Sequence, residues 1–220
     1  MLEKLAKQTA VYGISTIAVR FLSYLLTPVF TRVFEPEAYG IVTDVYALIP
    51  FALVVLTMGL ESAYFRFAAK ADATAWGVTL LAASLFFLLT AFGRERVAEW
   101  MGEAYVAHPE YVLLVAAVVW FDVAACLPFS RLREQGRAMT FVGIKALGVV
   151  VNVALAIGFA PAGLYGSPFG VGWVFVANLI ASAVTFNVIL LTTDRTVPRI
   201  DRRLLAAVLV YSLPLLVSGV

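Results

Sequence analysis

A chain of 220 residues in which 62% are hydrophobic and only 14% charged lies far from soluble domains, where about a quarter of residues carry charge. A formal net charge of +2 leaves no basic footprint for nucleic acid, and one cysteine, Cys126, rules out an internal disulfide or a multi-cysteine metal site. With a mean hydropathy of +0.94, the chain reads as an all-α polytopic transmembrane bundle whose first partner is the lipid bilayer.

About 20 apolar residues cross the hydrocarbon layer as a helix. Six such runs follow in order, at residues 8–33, 39–60, 75–92, 111–129, 140–160 and 169–192. The N-terminus lacks a small-residue cleavage site, so the first run serves as its own insertion signal. Charged residues fill 194–203, and a seventh apolar run starts at 204, interrupted by Pro214. That run is too short to cross and has no polar flank. The expected organisation is therefore a six-helix N-terminal lobe at 1–193, then a charged cytoplasmic linker and the beginning of span seven at 194–220, with a C-terminal lobe to follow.

Loop charges set the orientation. With the N-terminus in the cytoplasm, eleven Lys and Arg fall inside and three (Arg32, Arg94, Arg96) outside; Arg20 and Lys145 lie within spans. The expected location is the cell inner (plasma) membrane, multi-pass. Pro28, Pro50 and Pro128 bend or end their helices, which lipid tolerates only where neighbours satisfy the freed carbonyls. Gly143 and Gly148, and Gly170 and Gly172, allow close helix contact. Cys126, in an apolar setting, reads as a packing residue, and His108, in a polar stretch before Pro109, as a solvated loop histidine.

The informative residues are the polar ones kept in lipid. Arg20 lies near the middle of the first run, where insertion costs at least about 2.5–3.5 kcal/mol, so it needs a partner or a wet cavity. Asp122 in the fourth run lies about 16 Å deep, level with Arg20. Two readings stand: a buried Arg20–Asp122 pair that staples two spans, or Arg20 exposed to a central cavity with Asp122 in a coupling role. Lys145 lies about a third of the way into the fifth run, within snorkelling reach of the inner interface. Asp44 is near the outer end of the second run. Glu61, Arg66 and Lys70 form its cytoplasmic exit, where Glu61 and Arg66 fit a surface pair. Asn152, Asn178 and Asn187 suit hydrogen bonds between helices.

Enzymatic readings fare poorly. The chain has no Asp-rich pair for a magnesium-bound diphosphate, no His-Glu-x-x-His, no Gly-x-Ser-x-Gly and no phosphate loop, so no enzyme activity, metal or cofactor is expected. Bent helices, buried cationic groups and glycine-bearing spans point to transport instead.

The stretch from Ala10 through Arg20 to Pro28, continuing in Thr31-Arg32 and Glu35-Pro36-Glu37-Ala38-Tyr39-Gly40, resembles the opening of polysaccharide/O-antigen flippases. These are oligosaccharide-lipid exporters of the multidrug/oligosaccharidyl-lipid/polysaccharide (MOP) superfamily, with a MATE-like fold. Residues 59–67, 131–137 and the pair Leu213-Pro214 are similar to the second-span exit, the loop after span four and the opening of span seven in that family. The resemblance implies two six-helix lobes around a central cavity. It also implies translocation of an undecaprenyl-diphosphate-linked oligosaccharide for polysaccharide biosynthesis in the cell envelope, beside polysaccharide polymerase components. Arg20 and Lys145 would then receive the anionic diphosphate, with Asp44, Glu61 and Arg66 completing the substrate-binding set and Asp122 as the coupling or structural residue. Three alternatives stay open: a proton- or sodium-coupled multidrug exporter, which in similar proteins carries an acid in span one; a lipid II flippase, richer in arginine there; and a non-transporting membrane scaffold.

Overall fold

The computed structural model describes residues 26–67, 69–194, 196–201, 204–206 and 210–212, with the side chains of 69–71 left aside. Arg20 and most of the first apolar run therefore lie outside the described residues, as do Lys4, Lys7, the side chain of Lys70, Arg195, Arg202, Arg203 and Pro214.

The described chain is helical: α1 (Leu26–Val33), α2 (Pro36–Thr57), α3 (Leu60–Phe67), α4 (Ala69–Phe92), α5 (Arg94–Met101), α6 (Glu103–Val106), α7 (Pro109–Glu134), α8 (Ala138–Phe159) and α9 (Gly172–Thr192), with a 3₁₀ turn at Leu164–Gly166. Five are long and apolar enough to cross a membrane: α2, α4 from Asp72 onward, α7, α8 and α9. They correspond to the second through sixth apolar runs.

Helix boundaries follow local chemistry. α2 starts three residues earlier than hydropathy suggests, because Pro36 stands in its first turn, where a missing N–H costs nothing. It also stops three residues earlier. Met58 (φ 49°) and Gly59 (φ 66°) both turn left-handed, and the Met58 N–H closes the helix onto the Val54 carbonyl. Glycine takes that conformation freely, whereas Met58 is held there at a cost. The chain then restarts as α3. The short α5 and α6 were not evident from hydropathy, being too polar and too brief to register.

α7 is the hub, with α2, α4, α8 and α9 all packed against it. Its small residues Ala116, Ala124 and Ala125 are buried, as are Val115, Val118, Val119 and Val123. Leu81, Leu85, Leu88, Leu89 and Phe92 of α4 form an exposed stripe at helical spacing, the face expected to meet acyl chains. Of the glycines in α8, Gly148 is the close-contact position: a Cβ there would collide with the Thr185 hydroxyl of α9. A Cβ at Gly143 would meet no described atom within 4 Å. Rings of Tyr111, Phe159, Tyr165, Phe169, Trp173 and Phe34 interlock at one end of the bundle, as an aromatic belt does at an interface.

Pro128 shows how a proline survives inside a helix in an apolar setting. Lacking an N–H, it leaves the carbonyl four residues back without its helical partner. That carbonyl belongs to Ala124, and the indole of Trp76 on α4 donates to it at 3.0 Å. Trp76→Phe leaves the carbonyl buried and unsatisfied, and should lower stability by about 1–3 kcal/mol. The check is thermal unfolding of the purified protein in detergent. An unchanged melting temperature would show that the indole is dispensable.

Candidate functional site

Between α1, α2, α8 and α9 lies a cavity of about 680 Å³, into which α7 contributes a single residue, Asp122. Leu26, Thr27 and Phe30 close it on the α1 side, and Tyr39, Thr43, Tyr46 and Pro50 line it from α2. Lys145, Gly148 and Asn152 come from α8, and Asn178, Ser182 and Thr185 from α9. From the sequence, the lining is expected from the first, second and fourth apolar runs and a second lobe; here the first and second runs give nine of the eighteen lining residues, the fourth gives one, and the fifth and sixth give eight. The reason is packing. Most faces of α7 are occupied by its neighbours, whereas α8 and α9 turn small and polar residues toward the opening.

The lining is ordered along the helix axes. Lys145 lies seven residues from the α8 start at Ala138, about 10 Å in, and Asp122 thirteen residues from Pro109, about 20 Å in. Asp122 sits against Ser182 and in the field of the Lys145 ammonium. Lys145 Nζ in turn stands 4.2 Å from the centroid of the Phe129 ring, a cation–π contact. Toward the other end the polar groups are uncharged. Two of them, the Tyr46 hydroxyl and the Asn152 carboxamide, are buried next to each other in the cavity wall. Between them they keep donor and acceptor capacity for a further polar group.

Only some residues singled out from the sequence meet here. Lys145 and Asp122 converge, a pairing that their separation in sequence concealed; Arg20 lies outside the described residues. Asp44 is elsewhere, in a shallower cleft of about 440 Å³ with Trp100, Met101 and Tyr105. Burial, with Asp44 nearby, pushes the Tyr105 phenol up to about 12, so the hydroxyl remains neutral and donates to the Ile41 carbonyl at 3.4 Å.

Glu61 and Arg66 also lie away from the cavity and do not pair with each other. Glu61 is bridged to Arg133 and accepts from the Cys126 thiol, so Cys126 is more than filler. The Arg66 guanidinium stacks over Tyr211 at 4.5 Å. Both belong to an arginine-rich end where α3, α4, α7, α8, α9 and residues 194 and 196–201 meet. At its centre is Arg131, 3% exposed, with Nε 2.8 Å from Asp72 Oδ1 and its guanidinium over the Trp76 ring at 4.8 Å. The second Asp72 oxygen accepts from the Thr196 hydroxyl at 3.1 Å. Tyr64 donates to Glu134, and Arg137 to the Thr192 carbonyl. At the opposite end His108 is not free in solvent: its Nδ1 lies 2.9 Å from Glu110 and its ring stacks on Tyr111.

Among the described residues, no group of three His, Cys, Asp or Glu is placed to hold a metal ion. What the cavity offers is a cation, a carboxylate and several neutral hydrogen-bonding groups, inside a bundle of apolar helices. A family model described as polysaccharide biosynthesis protein matches residues 5–220. No curated protein and no solved structure gives a match.

Proposed function

We propose, for a chain that belongs to the polysaccharide biosynthesis protein family, that it is a flippase carrying an undecaprenyl-diphosphate-linked oligosaccharide from one leaflet to the other. One observation carries the reading: a cavity holding Lys145 and several neutral polar side chains within helices apolar enough to span a bilayer. A charged, hydroxyl-rich headgroup cannot cross hydrocarbon unaided, and a cationic donor in a low-dielectric cavity is what its diphosphate requires. Lys145, joined by Arg20 from the first span, serves as that donor while the prenyl tail stays in lipid. The arginine-rich end faces the cytoplasm of the inner membrane, and a facing helical lobe closes the other side of the path, the two rocking to give alternating access. Polymerase components would take up the exported lipid. The protein makes and breaks no covalent bond in this scheme.

Asp122 favours one second reading, a cation-coupled exporter, because an acid in the cavity attracts a proton, a metal cation or a cationic drug. The two readings separate in proteoliposomes that contain the full-length protein, a fluorescent undecaprenyl-diphosphate glycan and, in parallel, a cationic dye. The flippase reading expects protein-dependent appearance of the glycan in the opposite leaflet and no dye movement. Dye movement without glycan movement would replace it with the exporter, and movement of neither by folded protein would leave the scaffold.

A further inference from the structure

Resting on the flippase reading, we propose that the cavity is divided along its length. The half nearer the aromatic end is a glycosyl subsite, built by Tyr39, Tyr46, Asn152 and Asn178, which selects the sugar attached to the diphosphate. Tyr39 and Tyr46 lie three and ten residues from the α2 start at Pro36, about 5 and 15 Å from that end. Asn178 lies six residues from Gly172, about 9 Å in, and Asn152 seven from Phe159, about 11 Å in. Lys145 and Asp122 are both about 20 Å from the same end. All four subsite residues are uncharged, whereas the charged pair is confined to the deeper level.

This gradient matches one kind of ligand. A diphosphate needs a cation, and the charged level supplies it. A sugar ring carries neighbouring hydroxyls that each donate and accept, so it is recognised by carboxamides and phenols that also do both. The Tyr46 hydroxyl and the Asn152 carboxamide lie side by side in the cavity wall, and the pair keeps donor and acceptor capacity that a ligand hydroxyl can use. Tyr39 adds a ring face against which the apolar side of a sugar can lie. An acyl chain would cover four polar side chains without offering any of them a hydrogen bond, a loss that a site built for hydrocarbon would avoid.

The experiment compares binding of undecaprenyl diphosphate with the same lipid carrying glucose, galactose or N-acetylglucosamine, by tryptophan fluorescence of the full-length protein in detergent. The wild type should bind at least one glycosylated lipid about tenfold tighter than the bare lipid, corresponding to one or two net hydrogen bonds. Tyr46→Phe combined with Asn152→Ala should bring that ratio close to one, with thermal unfolding showing that the variant is folded. If it does not fold, Asn178→Ala alone should lower the ratio about threefold or more. Lys145→Ala should instead weaken all four lipids together. A wild-type ratio of one for every sugar would overturn the subsite while leaving the flippase reading intact, as would a ratio that survives the substitutions. Failure of the wild type to bind any of the four lipids would overturn both.

Discussion

Lys145→Glu is expected to reduce glycolipid transport in proteoliposomes by about tenfold to a hundredfold, the range spanned by one hydrogen bond to a charged group. The substitution removes the only cation among the described residues lining the cavity and places a second carboxylate beside Asp122. An anionic diphosphate then meets two like charges where it needs one opposite charge. Lys145→Arg keeps the charge and should retain much of the activity; Lys145→Met keeps the stem and loses the charge, and should behave nearly as badly as the glutamate. Because Lys145 is an exposed residue that meets the hub through its ammonium at the edge of the cavity, over Phe129, all three should insert and melt close to the wild type. Wild-type transport by Lys145→Glu would remove this residue from the path, leaving Arg20→Ala as the test of the cationic requirement.

The second large effect concerns stability. Arg131→Ala should destabilise the folded protein by about 3–5 kcal/mol, because it strands Asp72 in a nearly buried position without its ion partner. Replacing both residues with apolar ones, Arg131→Met with Asp72→Leu, should recover most of that loss, since the desolvation of both charges disappears with the pair. Thermal unfolding in detergent distinguishes the two. A single variant that melts like the wild type would show that the pair contributes nothing net. The same variants have a second readout. Asp72 also holds Thr196, so loss of the pair should make residues 194–201 more susceptible to protease while α7 remains protected.

Hydropathy located five of the crossing helices within a few residues, because the length of apolar chain needed to cross lipid is a strong constraint that acts on each segment alone. Their ends depended on features hydropathy does not weigh, such as Pro36 in a first turn and left-handed Met58. Sites are harder, since they depend on which face of each helix turns inward. Lys145 and Asp122 each stood out as a charge in an apolar run, yet nothing in either run showed that the two share a cavity. Glu61 and Arg66 stand out equally and, five residues apart, fit a surface pair. In the fold Glu61 meets Arg133 and Arg66 meets Tyr211, partners far away in sequence. Arg131 stands out in the sequence only as a loop charge and as part of the 131–137 stretch, and nothing there pairs it with Asp72, because each sits at the polar end of an apolar run, where charge is ordinary. Asn152 and Asn178 suit hydrogen bonds between helices equally well, and only their place in the cavity wall distinguishes the two uses.

Residues 196–201 pass across the start of α4, with the Arg199 N–H on the Ala73 carbonyl at 3.0 Å and the Asp201 N–H on the Thr74 hydroxyl at 3.3 Å. They come this close because Gly77 has no side chain; a Cβ there would stand 3.4 Å from the Arg199 nitrogen and 3.3 Å from Ile200. A charged stretch that looks like a loose tether is thus laced to α4 over residues 196–201. A pull on this segment meets α4 first, close to the indole bond by which Trp76 joins α4 to α7.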